Sequence, residues 1–505
     1  MSATFAAPVR SVIETTAEGL LAGASALLGE NYRLALVAAH DDADALRVVY
    51  VFTKGPPDQR VELVVRLERD TPTLSSLASI SFVASRFERE MRDLFGVTLL
   101  GHPQPRRLVL HQHWPDGFHP MRHDDGDPPP MKLGAPSYPF IPVEGPGVYE
   151  IPVGPVHAGL IEPGHFRFFV VGETILRMKA RLWFVHKGIE KLMEGRTVDE
   201  GFQLAQRISG DSAVGHGLAF LMAVEEALGV IVSSEDAMLR GSLLELERLY
   251  NHVSDLGGLC NDVGFSIANS HALTLRERLL RLNEVVTGHR LLRDGIVLGG
   301  TCIRRLPTSD ELDRVRDDVS QLVEMVRANA LVMDRFAGTA VLARDDAVDM
   351  GTLGVVARAS GCAFDARVAH PFTAMVPGFR VVTADGGDVL ARFDVRVGEL
   401  YASIDALRSW ASEVARSSPR EPSRVASVVA SAPVTRSGLG LVEGWRGTIA
   451  QRVELDRAGM LTRVKIVDPS FFNWPALPVS LADTIIPDFP LVNKSFNLSY
   501  AGNDL

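Results

Sequence analysis

Apolar positions recur along the chain in two rhythms. In the first 125 residues, short runs rich in Val and Leu alternate with helical spacing. Val12–Leu28 carries helical periodicity, Arg33–Ala39, Leu46–Thr53 and Val61–Leu67 read as strands, and Ser81–Leu94 reads as a second helix. Helix, three strands and helix predict a small α+β domain over residues 1–125. Nine prolines in the thirty residues from Gly126 to Pro155 cannot continue a helix or a central strand, so residues 126–148 form an extended linker. Residues 149–505 follow as a second domain. There a strand at His165–Val171 leads into helices over Thr174–Glu194, Asp199–Leu228, Glu235–Asp262, Leu273–Leu292 and Ser309–Arg335. Gly195, Gly229, Gly264 and Pro307 stand near their ends as stop signals. Leu239, Leu243, Leu246, Leu249, Val253 and Leu256 form one buried stripe. Val395–Arg416 predicts a further helix. From Pro433 the chain turns strand- and loop-rich and closes in a Pro- and Asn-containing tail. The expected architecture is α+β: a small α+β domain and a Pro-rich linker, then a mainly helical bundle with a small β component.

Composition narrows the chemistry. Of 505 residues, 46% are hydrophobic and 23% charged, as in an ordinary globular protein. The net charge of −10, from 62 acidic against 52 basic residues, argues against a nucleic-acid binder. Cys260, Cys302 and Cys362 are the three cysteines, 42 and 60 residues apart, and no CxxC pair exists. They cannot furnish a four-thiolate zinc or iron–sulfur site, and they make no disulfide framework, so a reducing compartment is expected. No apolar run reaches 18 residues, so no transmembrane segment is expected, and the N-terminus does not read as a secretory signal.

Two stretches carry more specific information. FEREMRDLFGVTLLGHPQPRRLVL, a charged helix end followed by a Gly-His-Pro turn and a basic strand, resembles the signature of the 30 kDa subunit of respiratory complex I, as does the following HWPDGFHPMRHD. The second domain runs GPVHAGLIEPGHFRFFVVGE, WFVHKGIEKLMEGR and QRISGDSAVGHGLAFLMAVEEALG. These segments resemble the 49 kDa subunit of complex I and, more closely, the large subunit of group 4 energy-converting nickel–iron hydrogenases. In formate hydrogenlyase that subunit is a fusion of the two modules in this order. The resemblance runs from about Leu46 to Leu505 and is weakest between Thr308 and Pro433.

The resemblance implies two chemistries. Nickel–iron hydrogenases hold their metals with four thiolates, an early CxxC pair and a late one. The early pair falls within RISGDSAVGH, where this chain has Ser209 and Ser212; the late pair falls within DPSFFNW, where it has Ser470 and Asn473. Hydroxyl and amide groups are poor replacements for soft, deprotonated sulfur, so no conventional nickel–iron centre is expected. The other chemistry is the quinone site of complex I, where a histidine and a tyrosine hydrogen-bond the headgroup. His165 lies at or near the histidine's position, with His157 close by, but Gly210 stands where the tyrosine would be and offers no side-chain donor.

What remains is the lining of the implied cavity. Arg207, Asp211 and His216 are expected on one helical stretch, with Arg207 and Asp211 one turn apart. Glu190 and Lys191 lie in HKGIEKL, a motif common to both relatives, and Arg446 in VEGWRG stands where the relatives carry a basic residue near the cavity. Glu245, Arg248, Asn251 and His252 form a polar face in LLELERLYNHVSDLG. Alone, each suits a surface ion pair or a satisfied core group. Together, among apolar helices, they suggest a proton relay converging near Ser209 and Ser470. His165, His157, Arg207, Asp211 and Arg446 are the candidate catalytic residues, and Glu190, Glu245, Arg248 and His252 the candidate relay.

Five of fourteen histidines lie between His102 and His123, but the Gly-His-Pro turn accounts for His102 and no helical i, i+4 pair is preformed. VLGGTC at Val297–Cys302 has too few glycines for a dinucleotide fingerprint. No metal or cofactor is therefore assigned to this chain. The resemblance implies a small iron–sulfur partner subunit, antiporter-like membrane subunits, a quinone as candidate acceptor, and a place on the cytoplasmic face of a membrane. Such a complex would couple electron transfer, from an NADH dehydrogenase-type or related donor, to ion translocation. The alternative is a scaffold that has lost its active site and only organises partners. In hydrogenases a tail such as Asp468–Leu505 is often removed after metal insertion; with no metal to insert, it is expected to stay and pack into the interface.

Overall fold

The structure, a computed structural model, describes residues 8–134, 138–157, 161–416 and 436–505. Part of the expected linker, residues 135–137, and the expected transition at Pro433 lie outside the described residues. The chain begins with β1 (Val9–Thr15), α1 (Leu20–Gly29), β2 (Arg33–Asp41), β3 (Ala45–Lys54) and β4 (Gln59–Glu68). These strands form one sheet in the order β1-β4-β3-β2, with β1 parallel to β4 and the other pairs antiparallel. The expected helix over Val12–Leu28 is therefore a strand followed by a shorter helix. Val9, Val12, Ile13 and Thr15 are β-branched, and pairing along the free edge of β4 outweighs their weak helical spacing. Next come β5 (Thr73–Ser75), α2 (Phe82–Phe95) and β6 (Thr98–Leu100). Helix α2 starts at Ser81, whose hydroxyl accepts the Ala84 N–H, and stops at Gly96, whose φ of 75° only glycine adopts without strain.

The second part opens with an antiparallel sheet of β7 (Val148–Val153), β8 (His165–Val171) and β9 (Thr174–Arg181). The expected Thr174–Glu194 helix does not form as one element. Its first half is strand β9, paired antiparallel with β8 across one register shift at Phe169–Val170, and only α3 (Ile189–Met193) is helical. Ile175 and Met178 reach the core from β9, and that burial overrides the helical propensity of Leu, Met, Lys and Arg. The expected Asp199–Leu228 helix is two helices, α4 (Val198–Ala205) and α5 (Ala213–Leu228), parted by a loop that ends at Ser212. Helices α6 (Ser234–Asp262) and α7 (Ser266–Thr287) follow, then a β10–β11 hairpin (Ile296–Val297, Gly300–Thr301). After α8 (Ser309–Arg327) and α9 (Ala330–Phe336) come the short helices α10 (Arg344–Asp349), α11 (Gly354–Ala359) and α12 (Ala366–Ala369), and then α13 (Val389–Val414). A second antiparallel sheet, β12 (Arg436–Gly444), β13 (Gly447–Leu455) and β14 (Leu461–Val467), closes the core. The tail is helical: α14 (Pro469–Asn473), α15 (Ala476–Ser480), α16 (Phe489–Phe496) and α17 (Tyr500–Asp504).

Two packing decisions place the site. Helix α5 lies directly on β12, where an added Cβ would stand 2.0 Å from the Ala223 carbonyl oxygen at Gly438 and 1.9 Å from that of Ala219 at Gly440. Glycine at alternate positions of β12 lets the helix backbone touch the strand. The first sheet is tied to the second through buried ion pairs: Arg452 to Glu62 at 3.2 Å and to Glu454 at 2.7 Å, with Arg47 adding a second cation to Glu454 at 2.9 Å.

Candidate functional site

Four segments meet at one point: the α4–α5 loop, the β12–β13 turn, the N-terminus of α14, and the chain between α16 and α17. Asp468 caps α14 by accepting the Ser470 N–H at 2.7 Å. The Ser209 hydroxyl donates to Asp211 at 2.7 Å and lies 2.9 Å from the Ser499 hydroxyl. The Ser499 N–H in turn donates to the Ser470 hydroxyl at 2.9 Å. Ser499 of the tail thus sits between Ser209 and Ser470. Ser212 accepts the Trp445 indole N–H at 3.1 Å. Asn473 faces elsewhere: its side chain accepts the Leu353 N–H at 2.8 Å and donates to the Leu353 carbonyl at 3.1 Å, which ties α14 to the start of α11.

Asp211 and Arg446 form a two-pronged ion pair, at 2.6 and 2.8 Å, with the guanidinium carbon 3.9 Å from the centre of the Trp445 ring. Burial alone would raise the Asp211 pKa, but Arg446 holds it at about 2. His216, fully buried on α5, lies 2.9 Å from Asp468, which burial opposes but which His216 and Arg446 keep below the usual carboxylate range. The expected Arg207–Asp211 pair does not form. Both lie in the loop between α4 and α5, and Arg207 is exposed and donates to the Gln203 carbonyl and side chain at 2.6 and 2.8 Å. Arg446, 235 residues away in sequence, takes its place.

The ion pair faces a cleft of about 770 Å³ whose wall includes His157, Glu162, Gly210, Asp211, Arg446 and Tyr500. His157 Nε2 lies 2.8 Å from the Gly164 carbonyl. His165 does not line this cleft; its Nδ1 is 3.1 Å from the Gly154 carbonyl and its ring packs 5.5 Å from Phe140.

Behind the β12–β13 turn lies a buried charged cluster. The His252 ring stands edge-on to Trp445, centroids 6.1 Å apart, and its Nε2 is 2.8 Å from Glu399 on α13. Glu399 also meets Arg358 at 2.6 Å and Arg248 at 3.4 Å, and Arg358 meets Glu443 at 2.7 Å. Arg248 pairs with Glu245 at 2.9 Å, and Arg367 links Glu245 at 3.2 Å to Asp365 at 2.7 Å. The carboxylates of Glu245, Asp365, Glu399 and Glu443 thus face the guanidinium groups of Arg248, Arg358 and Arg367, none of these residues more than 6% exposed. Burial would raise Glu399, yet Arg358, His252 and Arg248 hold it well below its ordinary value. Burial pushes His252 down, against the pull of Glu399. Glu245, Arg248 and His252 were legible in one motif. Arg358, Asp365, Arg367 and Glu399 come from the stretch where recognisable motifs are sparsest, and no spacing joins them to α6.

Glu190 lies on another side of the site. It pairs with Arg463 at 2.7 Å and Lys465 at 3.2 Å, and Lys465 reaches Glu90 of α2 at 2.5 Å. This group borders a separate cavity of about 350 Å³ that Asp468 also lines. Asn251 donates to the Asp211 carbonyl at 2.8 Å. Glu247, which no sequence motif singles out, accepts the Val214 and Gly215 N–H groups at 2.7 and 3.0 Å and anchors the start of α5. Burial pushes its carboxyl up to about 8, against those two donors. Between its ordinary value of 4.5 and about 8, the folded chain holds a proton that the unfolded chain has released. Stability therefore falls as pH rises through that window, by up to about 1.4 kcal/mol per pH unit. Urea titrations between pH 5 and 8 should show this slope and lose it in Glu247→Gln; an unaltered slope refutes the assignment.

Among the described residues no group of three or more His, Cys, Asp or Glu side chains is arranged to hold a metal ion, and no helix is long and apolar enough to cross a membrane. Family models described as the 30 Kd and 49 Kd subunits of respiratory-chain NADH dehydrogenase match residues 13–128 and 262–433. The second match spans the stretch where the quoted motifs are sparsest. Formate hydrogenlyase subunit 5 of Escherichia coli (strain K12) is 32% identical over 458 residues, covering 88% of this chain and 79% of that protein. Hydrogenase-4 component G of the same organism is 33% identical over 428 residues, 83% of this chain and 73% of that one. An NADH-quinone oxidoreductase subunit of Phocaeicola vulgatus is 28% identical over 442 residues, 81% of this chain and 83% of that one. A chain of the membrane-bound sulfane sulfur reductase, an archaeal respiratory membrane complex, superposes with a TM-score of 0.62 at 26% identity, over 71% of this chain and 99% of that one.

Proposed function

The chain belongs to the complex I-type family of fused 30 kDa/49 kDa subunits that includes formate hydrogenlyase and hydrogenase-4 proteins, and from that premise we propose that it couples electron arrival at a neighbouring cluster to proton movement without a nickel–iron centre. It is a subunit of an oxidoreductase complex. The observation that carries the coupling is the run of charged groups from Asp211–Arg446 at the cleft, past Trp445 and His252, into the Glu399–Arg358 cluster. A change of charge in the cleft shifts the Asp211–Arg446 pair, and a low-dielectric interior carries that shift to neighbouring ionisable groups. Electrons come from an iron–sulfur cluster on a small partner subunit, and the acceptor, a quinone in the leading reading, occupies the cleft. Antiporter-like membrane subunits hold the chain at the cytoplasmic face and move the ion.

The donor set does not fit a nickel–iron centre. Ser209 and Ser470 are engaged with Ser499, and Asn473 is bound to Leu353. None offers a thiolate. Metal analysis of the purified complex should find nickel far below one atom per chain, and stoichiometric nickel would falsify this reading. The same filled position favours a second reading, a scaffold without turnover. Electron transfer to a quinone analogue by the intact complex decides: turnover supports coupling, and its absence in an intact complex supports the scaffold.

A further inference from the structure

A cavity of about 480 Å³ lies between the first sheet and α10 and shares no lining residue with the cleft. Arg33, which opens β2, and Arg344, which opens α10, both line it. Both also pull the Cys362 thiol down against the upward push of its burial, which puts the two charges at one end of the cavity. The Arg33 guanidinium carbon lies 3.9 Å from the centre of the Phe364 ring. Among the described residues neither guanidinium meets a carboxylate at ion-pair distance, and Arg33 Nη1 is buried without a hydrogen-bond partner. Glu443 favours the Arg33 charge from a distance, but Arg358 at 2.7 Å and the Thr448 hydroxyl at 2.6 Å already engage it. Burial pushes Arg33 down to about 10 in spite of Glu443. A cation drawn out of water without a partner is costly and calls for a counter-ion.

Water alone does not meet that need. Behind Arg33 a recess of about 30 Å³ reaches Thr53 and His370, whose Nδ1 lies 2.8 Å from Asp58 and whose Nε2 is buried without a partner. The recess admits about two waters, which can satisfy hydrogen bonds there but cannot balance a charge. The counter-ion therefore belongs in the wider cavity. Among the described residues Asp349 is the one carboxylate on its wall, against two guanidinium groups, which leaves one positive charge to be met. Ile80, Phe82 and Val348, all exposed, give the same cavity an apolar side. A single negative charge on an apolar body satisfies both conditions, and a carboxylate matches the planar fork of a guanidinium. We propose that this cavity binds a monocarboxylate carried on an aliphatic chain. Its carboxylate pairs with Arg33 and Arg344, and its chain lies on Ile80, Phe82 and Val348.

The test is binding of decanoate to the purified protein, measured by calorimetry for the native chain, Arg33→Gln and Arg344→Gln, with decanol and inorganic phosphate as companion probes. The expected result is a decanoate Kd raised about 10- to 100-fold by Arg33→Gln, the loss of a hydrogen bond to a charged group. Arg344→Gln should raise it only about 2- to 5-fold, since Arg344 is exposed and screened. If Arg33→Gln does not fold, the exposed Arg344→Gln carries the test. An equal Kd in the native chain and the variants, no decanoate binding by the native chain, or decanol bound as tightly as decanoate overturns the proposal. Phosphate that displaces decanoate at equal concentration overturns the choice of a carboxylate.

Discussion

Arg358→Ala should cost the chain about 3–5 kcal/mol of stability, the range for removing one member of a buried ion pair. Arg358 is fully buried on α11 and faces Glu399 at 2.6 Å, Glu443 at 2.7 Å and Asp365 at 3.4 Å. Arg248 and Arg367 are left to balance four carboxylates, and the surplus negative charge has no water to face. The pH dependence should invert. In the native chain Glu399 lies well below its ordinary pKa, so its contribution is present at neutral pH and is lost as pH falls. In the variant the unbalanced carboxylates rise above their ordinary values, so the deficit grows with pH and shrinks as they protonate. Urea denaturation at pH 5 and pH 8 reads both the loss and its sign. Adding Glu399→Gln should restore part of it by removing one unpaired charge, and a loss under about 1 kcal/mol at pH 8 would show that the cluster is not balanced through Arg358.

Gly440→Ala should be comparably damaging for a different reason. The new methyl would stand 1.9 Å from the Ala219 carbonyl oxygen and 2.8 Å from its carbon, both backbone atoms of α5 that no rotamer change can move. Helix and strand must separate, which opens the core between them at a cost of about 3 kcal/mol or more. Because α5 carries His216 and β12 leads into the Trp445–Arg446 turn, the separation also spoils the register between Asp211 and Arg446. The expected outcome is a lower thermal midpoint together with weaker assembly into the complex. Gly459→Ala is the control: no atom lies within 4 Å of the added Cβ there, so only its positive φ of 81° resists. A Gly440→Ala protein as stable as the native chain would mean that α5 does not rest on β12.

Much of the site was readable because its parts lie in short, dense motifs. RISGDSAVGH contains Ser209, Asp211, Ser212 and His216, DPSFFNW contains Asp468 and Ser470, and VEGWRG contains Arg446. The structure gathers these into one place. It separates Arg207 and His165 from the cleft, since a helix break turns the first to solvent and strand β8 carries the second toward Phe140. Sequence spacing assumes continuous elements, and one loop between two helices was enough to remove the expected one-turn contact.

The order of amino acids was sufficient for the family, the succession of its two modules, the strands β2, β3 and β4, and the long helix α6. These are local properties: periodicity, stop signals and motif order survive without knowledge of distant partners. Three-dimensional contacts were needed to establish that Val12 and Ile13 pair in a sheet, that β9 is a strand, and that Ser499 sits between Ser209 and Ser470. Sheet pairing and buried charge balance are both settled by contacts between groups that lie anywhere from a few to hundreds of residues apart. Burial rewards whichever partner reaches the site, whatever its distance along the chain.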